Sequence, residues 1–294
     1  MQQCRVIAPA KINLSLDITG RRHDGYHFLS TVMQSIGLYD TLTITRSGGS
    51  EVMLTCDGEV DNLPTGADNL VVRAALCFFS HLHLGLSDAG VHIQLQKEIP
   101  MQAGLAGGSA DAAATLVGLN ALFDAQLDAH TLQGLGLALG ADVPFCMVGG
   151  AVLAEGIGEM FQPLPSMPNC YIVIAKPQQG ISTKEAYALF DLSPARDRPD
   201  NDSLAAAVAT GQLSEIGRLM CNVFEEVCNL PEVYEIKAQM LAYGALGAQM
   251  TGSGSAVFGL FDEKSAAKRC MAALQERFDD VYLTKPCAHG AVLQ

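Results

Sequence analysis

The stretch richest in usable chemistry reads Pro100-Met101-Gln102-Ala103-Gly104-Leu105-Ala106-Gly107-Gly108-Ser109-Ala110-Asp111. The pattern over 91–99 predicts a strand running into it, and Ser109-Ala110-Asp111 opens a helical pattern that runs to Phe123. Glycines let the backbone turn tightly and bring its N–H groups against an oxyanion with no Cβ in the way. A helix N-terminus adds unpaired N–H groups and the positive end of the helix dipole. Strand, glycine-rich loop and helix together make a phosphate-binding arrangement. Ser109 adds a hydroxyl that can reach a phosphate or a Mg²⁺ ion. The spacing is neither GxxxxGK[ST] nor G-x-G-x-x-G. A plain tight turn would use the same glycines, so the loop alone leaves both readings open.

A second chemical signal is Asp142, the single charge between Gly134 and Leu153. A membrane helix is excluded there. A central Asp costs about 2.5–3.5 kcal/mol on insertion scales, and Pro144 and five glycines interrupt the stretch. The expectation is a carboxylate within a buried soluble segment. Desolvation would raise its proton affinity, and a neighbouring cation would restore its charge.

The elements that must position these groups are mixed. Arg5–Ile18 reads as extended, with Ile12, Leu14, Leu16 and Ile18 on one side and Asn13, Ser15 and Asp17 on the other. Thr41–Thr45 and Val52–Cys56 predict a hairpin around Ser47-Gly48-Gly49. Asp68-Asn69 can cap a helix from Leu70 to about Leu82. Further helices are predicted over Leu132–Leu139, Thr183–Phe190, Ser203–Ala209, Leu213–Glu226, Pro231–Tyr243 and Lys264–Phe278. Strands are predicted over Ala151–Ala154, Tyr171–Ala175, Ala256–Phe261 and Val281–Thr284. This order is α+β rather than strict βαβ alternation. Pro163, Pro165 and Pro168 mark a linker between two domains, 1–162 and 163–294.

The 294 residues are half hydrophobic, enough to bury a sizeable core. The net charge of -13 argues against nucleic acid and anionic membrane as partners, while local amides can still hold a nucleotide. Nine cysteines without a CxxC read as reduced, mostly buried thiols. No basic-then-apolar leader opens the chain, so a cytoplasmic location is expected. No histidine pair makes a convincing metal site.

Two further segments stand beside the loop: Pro9-Ala10-Lys11-Ile12-Asn13-Leu14 with Gly20-Arg21-Arg22-His23-Asp24-Gly25-Tyr26-His27, and Thr251-Gly252-Ser253-Gly254-Ser255-Ala256-Val257-Phe258. The three motifs, in this order, resemble those of the GHMP small-molecule kinases. The resemblance covers nearly the whole chain, including Gly140-Ala141-Asp142-Val143-Pro144-Phe145. It implies a two-domain α+β fold: an N-terminal two-layer α/β domain carrying the phosphate loop, a ferredoxin-like C-terminal domain, and an active site in the cleft between them. It implies ATP with Mg²⁺ as cofactors and transfer of the γ-phosphoryl group to a small-molecule alcohol. The Arg-x-Asp-Gly-Tyr-His form is similar to that of members acting on a cytidine diphosphate-linked methylerythritol in isoprenoid biosynthesis, where the acceptor is a tertiary hydroxyl.

On that resemblance Lys11 is the catalytic lysine and Asp142 the candidate base. Asn13 would bind substrate beside Lys11. Tyr26 would stack on the cytosine and His27 bond its edge, with Tyr187 a candidate for the other face. Asn69 and Lys97 would approach the adenine end, and Gly252, Ser253 and Gly254 would form a second tight turn lining the site. No carboxylate cluster marks Mg²⁺ ligands, and monomer and dimer both stay open. The chain departs from the family where Ala106 replaces a glycine, tolerable if its φ is negative, and where Ala110 replaces a serine. It also has acidic Glu155-Gly156-Ile157-Gly158-Glu159 in place of a basic turn. Two rival readings remain: a GHMP kinase for another alcohol, against which Arg-x-Asp-Gly-Tyr-His argues, and a non-catalytic nucleotide or metabolite sensor, against which Lys11 with Asp142 argues.

Overall fold

The computed structural model describes residues 1–57, 63–85, 90–193 and 195–294. In chain order, β1 (Gln3–Asn13), β2 (Ser15–Arg21), β3 (His27–Arg46) and β4 (Val52–Asp57) precede α1 (Leu70–His81). Then come β5 (Val91–Gln96), α2 (Gly107–Leu122), α3 (Ala129–Leu139), α4 (Val143–Val148), β6 (Ala151–Glu155) and β7 (Met160–Leu164). The second half runs β8 (Tyr171–Lys176), α5 (Thr183–Leu192), α6 (Asn201–Thr210), α7 (Leu213–Leu219), β9 (Cys221–Asn222), α8 (Val223–Cys228) and α9 (Pro231–Ala242). It ends with β10 (Gly247–Met250), β11 (Val257–Phe261), α10 (Lys264–Gln275), β12 (Asp280–Thr284) and β13 (Val292–Leu293).

The first sheet is organised by β3, which pairs in turn with β2, β6, β1 and β5. The hairpin expected between Thr41–Thr45 and Val52–Cys56 does not form. β5 lies between the two strands, antiparallel to β3 and parallel to β4. The glycines at 48 and 49 instead carry the chain past that slot, where the Ser47 N–H donates to Gly90 O at 2.9 Å. β4, α1 and β5 thus form a β-α-β unit that delivers the chain to the phosphate loop. In β1 the register shifts between Pro9 and Lys11. This bulge frees the Lys11 N–H to donate to Leu105 O at 3.1 Å, tying the strand directly to the loop.

The second sheet is antiparallel in the order β10-β11-β8-β12, the arrangement of a ferredoxin-like layer. Its strands are apolar on both faces because both are covered. Val173 and Ala175 pack with Ile236, Met240, Cys270 and Leu274 of α9 and α10. Ile172, Ile174, Phe258 and Leu260 join the core of the first layer. The division expected after residue 162 falls inside β7, so the first sheet runs on to Leu164, and β9 and β13 return to it from the second half.

The single helix expected over Leu213–Glu226 is broken into α7, β9 and α8. Asn222 explains the break: its side chain accepts from Phe224 N at 3.0 Å and donates to Met250 O and Gly252 O, both at 2.8 Å. β9 then pairs in parallel with β2. All nine cysteines are unbridged. Among the described residues no helix is long and apolar enough to cross a membrane.

Candidate active site

A cavity of about 840 Å³ opens where the two layers meet. Residues 100–109 of the glycine-rich loop form much of its wall, with Lys11, Asn13, Asn69, Lys97 and Asp142. Tyr187 and the Gly252–Gly254 turn come in from the second half. The helix leaving the loop begins at Gly107, two residues before the expected start, and no side chain caps it. Its first turn, Gly107 to Ser109, lines the cavity, so its orphan N–H groups are available to an anion.

Two details of the loop correct the sequence reading. Ala106 has φ +58, a left-handed conformation that costs a residue with a Cβ about 1–2 kcal/mol. The condition that made alanine acceptable there is therefore not met. Ala110 is fully buried beneath the loop and does not line the cavity. Alanine suits that position because it fills core rather than touching phosphate.

The Lys11 ammonium donates to Asn13 Oδ1 at 2.7 Å and lies 3.7 Å from Asp142 Oδ2. Lys11 is nearly enclosed, but the Asp142 side chain is 43 % exposed. The apolar stretch is thus not closed over its carboxylate, contrary to the burial expected there. Asp142 occupies the position before α4 but makes no capping hydrogen bond, so its oxygens are not committed to the helix. Asn13 is committed to the fold. Its Oδ1 also accepts from Gly252 N at 3.0 Å, its Nδ2 donates to Thr31 Oγ1 at 2.8 Å, and its backbone N–H donates to Thr251 Oγ1 at 3.0 Å. It holds Lys11 and the second glycine-rich turn in one network, rather than offering free polar atoms to a ligand.

That second turn meets the first directly. A Cβ on Gly104 would stand 2.1 Å from Thr251 O, so only glycine allows the contact. The Ser253 and Thr183 hydroxyls lie 3.1 Å apart at the same edge.

At the far end Tyr187 stacks on His27, with ring centroids 4.7 Å apart and planes 23° apart. Burial, helped by the Asp142 charge, pushes the Tyr187 phenol up to about 12. His27 Nε2 lies 2.8 Å from Asp191 Oδ1. Tyr26 is not brought to this pair. It stands 63 % exposed in the turn between β2 and β3, with the Arg22 guanidinium 6.0 Å from its ring centroid. The acidic turn after β6 does reach the cavity, through Ile157 and Gly158, and brings no cation.

Asn69 and Lys97 line the cavity, but both are engaged. Asn69 caps α1 through Val71 N and donates to Pro64 O at 2.7 Å. Lys97 pairs with Asp40 and Asp111. Sequence reasoning missed Thr31, Asp40 and Asp191, which sit outside any motif. Asp111 and Thr251 lay inside quoted motifs and were passed over for the glycines beside them.

The description "GHMP kinases N terminal domain" matches residues 69–150 and "GHMP kinases C terminal" matches residues 204–280. A curated relative from Alkaliphilus metalliredigens (strain QYMF), named 4-diphosphocytidyl-2-C-methyl-D-erythritol kinase, is 42 % identical over 97 % of this chain and 97 % of its own. A solved 4-(cytidine 5'-diphospho)-2C-methyl-D-erythritol kinase superposes with a TM-score of 0.79 at 33 % identity, covering 96 % of this chain and 98 % of that one. A homoserine kinase from Cytophaga hutchinsonii reaches the same TM-score at 23 % identity, covering 100 % and 98 %, which speaks for the fold alone. The chain belongs to the GHMP kinases, among relatives named for phosphorylating 4-diphosphocytidyl-2-C-methyl-D-erythritol.

Proposed function

We infer that this chain transfers the γ-phosphoryl group of ATP to the 2-hydroxyl of 4-diphosphocytidyl-2-C-methyl-D-erythritol, a cytoplasmic step of non-mevalonate isoprenoid biosynthesis. The observation that carries the reading is the Lys11–Asp142 pair, 3.7 Å apart, in the same cavity as the glycine-rich loop. An alcohol is a weak nucleophile at neutral pH and needs a proton acceptor and a stabilised developing charge. The exposed Asp142 carboxylate takes the hydroxyl proton as the oxygen–phosphorus bond forms and the bond to the ADP leaving oxygen breaks. Lys11, fixed by Asn13, orients Asp142 and offsets charge on the reacting oxygens. Because phosphoryl transfer is largely dissociative, this alignment counts for as much as deprotonation.

The amides of the first turn of α2 hold the phosphates. Mg²⁺ would arrive with the nucleotide, since it keeps several waters and is held largely by substrate phosphates. Ser109 puts a hydroxyl at the cavity wall in the first turn of α2, and the ion would neutralise phosphate charge. Tyr187 offers its ring to the cytosine, with His27 stacked behind it.

The test is a coupled ADP-release assay with Mg-ATP and the cytidyl substrate, with galactose, homoserine and mevalonate as comparators. Turnover on the cytidyl substrate alone is expected. Turnover on a comparator instead overturns the acceptor assignment and the role of Tyr187. ATP binding without turnover on any acceptor favours a sensor.

A further inference from the structure

Two carboxylates and one ammonium cluster at the base of the phosphate loop, with Lys97 and Asp111 reaching the cavity wall, and the transfer scheme above uses none of them. The Lys97 ammonium donates to Asp40 Oδ2, and to Asp111 Oδ2 at 2.9 Å. The three side chains are 7 %, 0 % and 5 % exposed. Asp40 does more. Its Oδ1 accepts from Glu98 N at 2.6 Å and Ile99 N at 2.8 Å. Asp40 belongs to β3, Lys97 to Ile99 is the segment that follows β5, and Asp111 lies in the second turn of α2.

The loop runs from Pro100 to Ala106, between that segment and that helix. The cluster therefore grips both of its stems. The grip is close: a Cβ on Gly107 would stand 3.1 Å from Lys97 Nζ and 3.1 Å from Ile99 Cγ2. It is also costly. Burial pushes the Asp111 carboxyl well above its usual range, and Asp111 Oδ1 has no hydrogen-bond partner among the described residues. A buried ionic cluster is a weak source of stability, and its best-attested use is to fix a geometry.

Resting on the reading of the loop as the phosphate site, we propose that Asp40 and Asp111 are positioning residues for nucleotide binding. Bridged by Lys97, they hold the two stems of the phosphate loop at the spacing that makes its amides converge. They also commit the Lys97 ammonium to the fold rather than to the nucleotide.

Calorimetric titration without acceptor tests this, using ATP, inorganic triphosphate and adenosine on the full chain and on Asp111→Asn and Asp40→Asn. Both variants should lose affinity for ATP and triphosphate by on the order of ten- to a hundredfold, as a displaced loop would. Adenosine affinity should stay within about twofold of the parent. Lys97→Met should show the same pattern, and adding Asp111→Asn to it should cost little more, as members of one unit do.

Triphosphate affinity unchanged in a folded Asp111→Asn protein overturns the proposal. So does an equal loss for adenosine, which would mark a base contact instead. Asp111→Asn conserves shape and decides the matter alone if Asp40→Asn does not fold. A parent that binds no triphosphate removes the premise, and the proposal with it. A parent that binds triphosphate while the variants do so equally well sinks only the clamp.

Discussion

A carboxylate that accepts a proton from an alcohol must be reachable, uncommitted and held near a cation. Asp142 is 43 % exposed, makes no capping bond, and has Lys11 at 3.7 Å. Asp142→Asn keeps the shape and removes the acceptor, so kcat should fall by about 10²- to 10⁴-fold while ATP affinity changes little. Steady-state kinetics with separate titration of both substrates checks this, and near-normal kcat would remove Asp142 from the role of base. Asp142 was legible because one charge stood alone in an apolar stretch. Its exposure was not, since hydropathy cannot tell a segment that is closed over from one that opens on a cavity. Ala106 gives a second expectation at this scale. Its φ of +58 suits glycine. Ala106→Gly should raise stability by about 0.5–1 kcal/mol, the strain relieved less the added freedom of the unfolded chain. Urea unfolding measures it, and a loss of stability would mean that the alanine methyl packs better than its backbone suffers.

At the scale of elements, the loop and the second glycine-rich turn form one contact. Gly104 has φ +73, and its missing Cβ leaves room for Thr251 O. Gly104→Ala should push the turns apart, destabilise the chain by at least about 2 kcal/mol, and abolish detectable phosphoryl transfer in whatever folds. Wild-type kinetics from this variant would show that the turns need not touch. Glycine chemistry made these turns legible, because the backbone demand is local and written in the residue itself. The strands around them were not. β3 is 20 residues long, yet only Thr41–Thr45 announced it, since it serves four neighbours in succession and its burial follows no period of two. The hairpin failed for the same kind of reason: Gly48 and Gly49 mark a turn but cannot say that β5 is inserted beside it. Asn222 likewise caps α8 through Phe224 N while it is held by Met250 and Gly252, partners that nothing near it in sequence reveals.

At the scale of the molecule, the two halves share buried surface and strands. Ile172, Ile174, Phe258 and Leu260 belong to the second sheet yet lie in the core of the first. β9 and β13 come from the second half yet extend the first sheet. Asn13 bonds across the cleft to Thr251 and Gly252. A boundary drawn at the prolines suits composition, but such shared burial makes each half the cover of the other's apolar face. The chain should therefore unfold in one cooperative step, with calorimetric and van't Hoff enthalpies in agreement. ATP at saturating concentration should raise that single transition as a whole, because a ligand held by the folded state stabilises everything that unfolds with its site. A fragment covering residues 1–164 should show no cooperative transition, having lost β9, β13 and the second sheet's inner face. Two resolved transitions, only one of them moved by ATP, would show instead that the halves fold independently and that the cleft is a hinge between stable bodies.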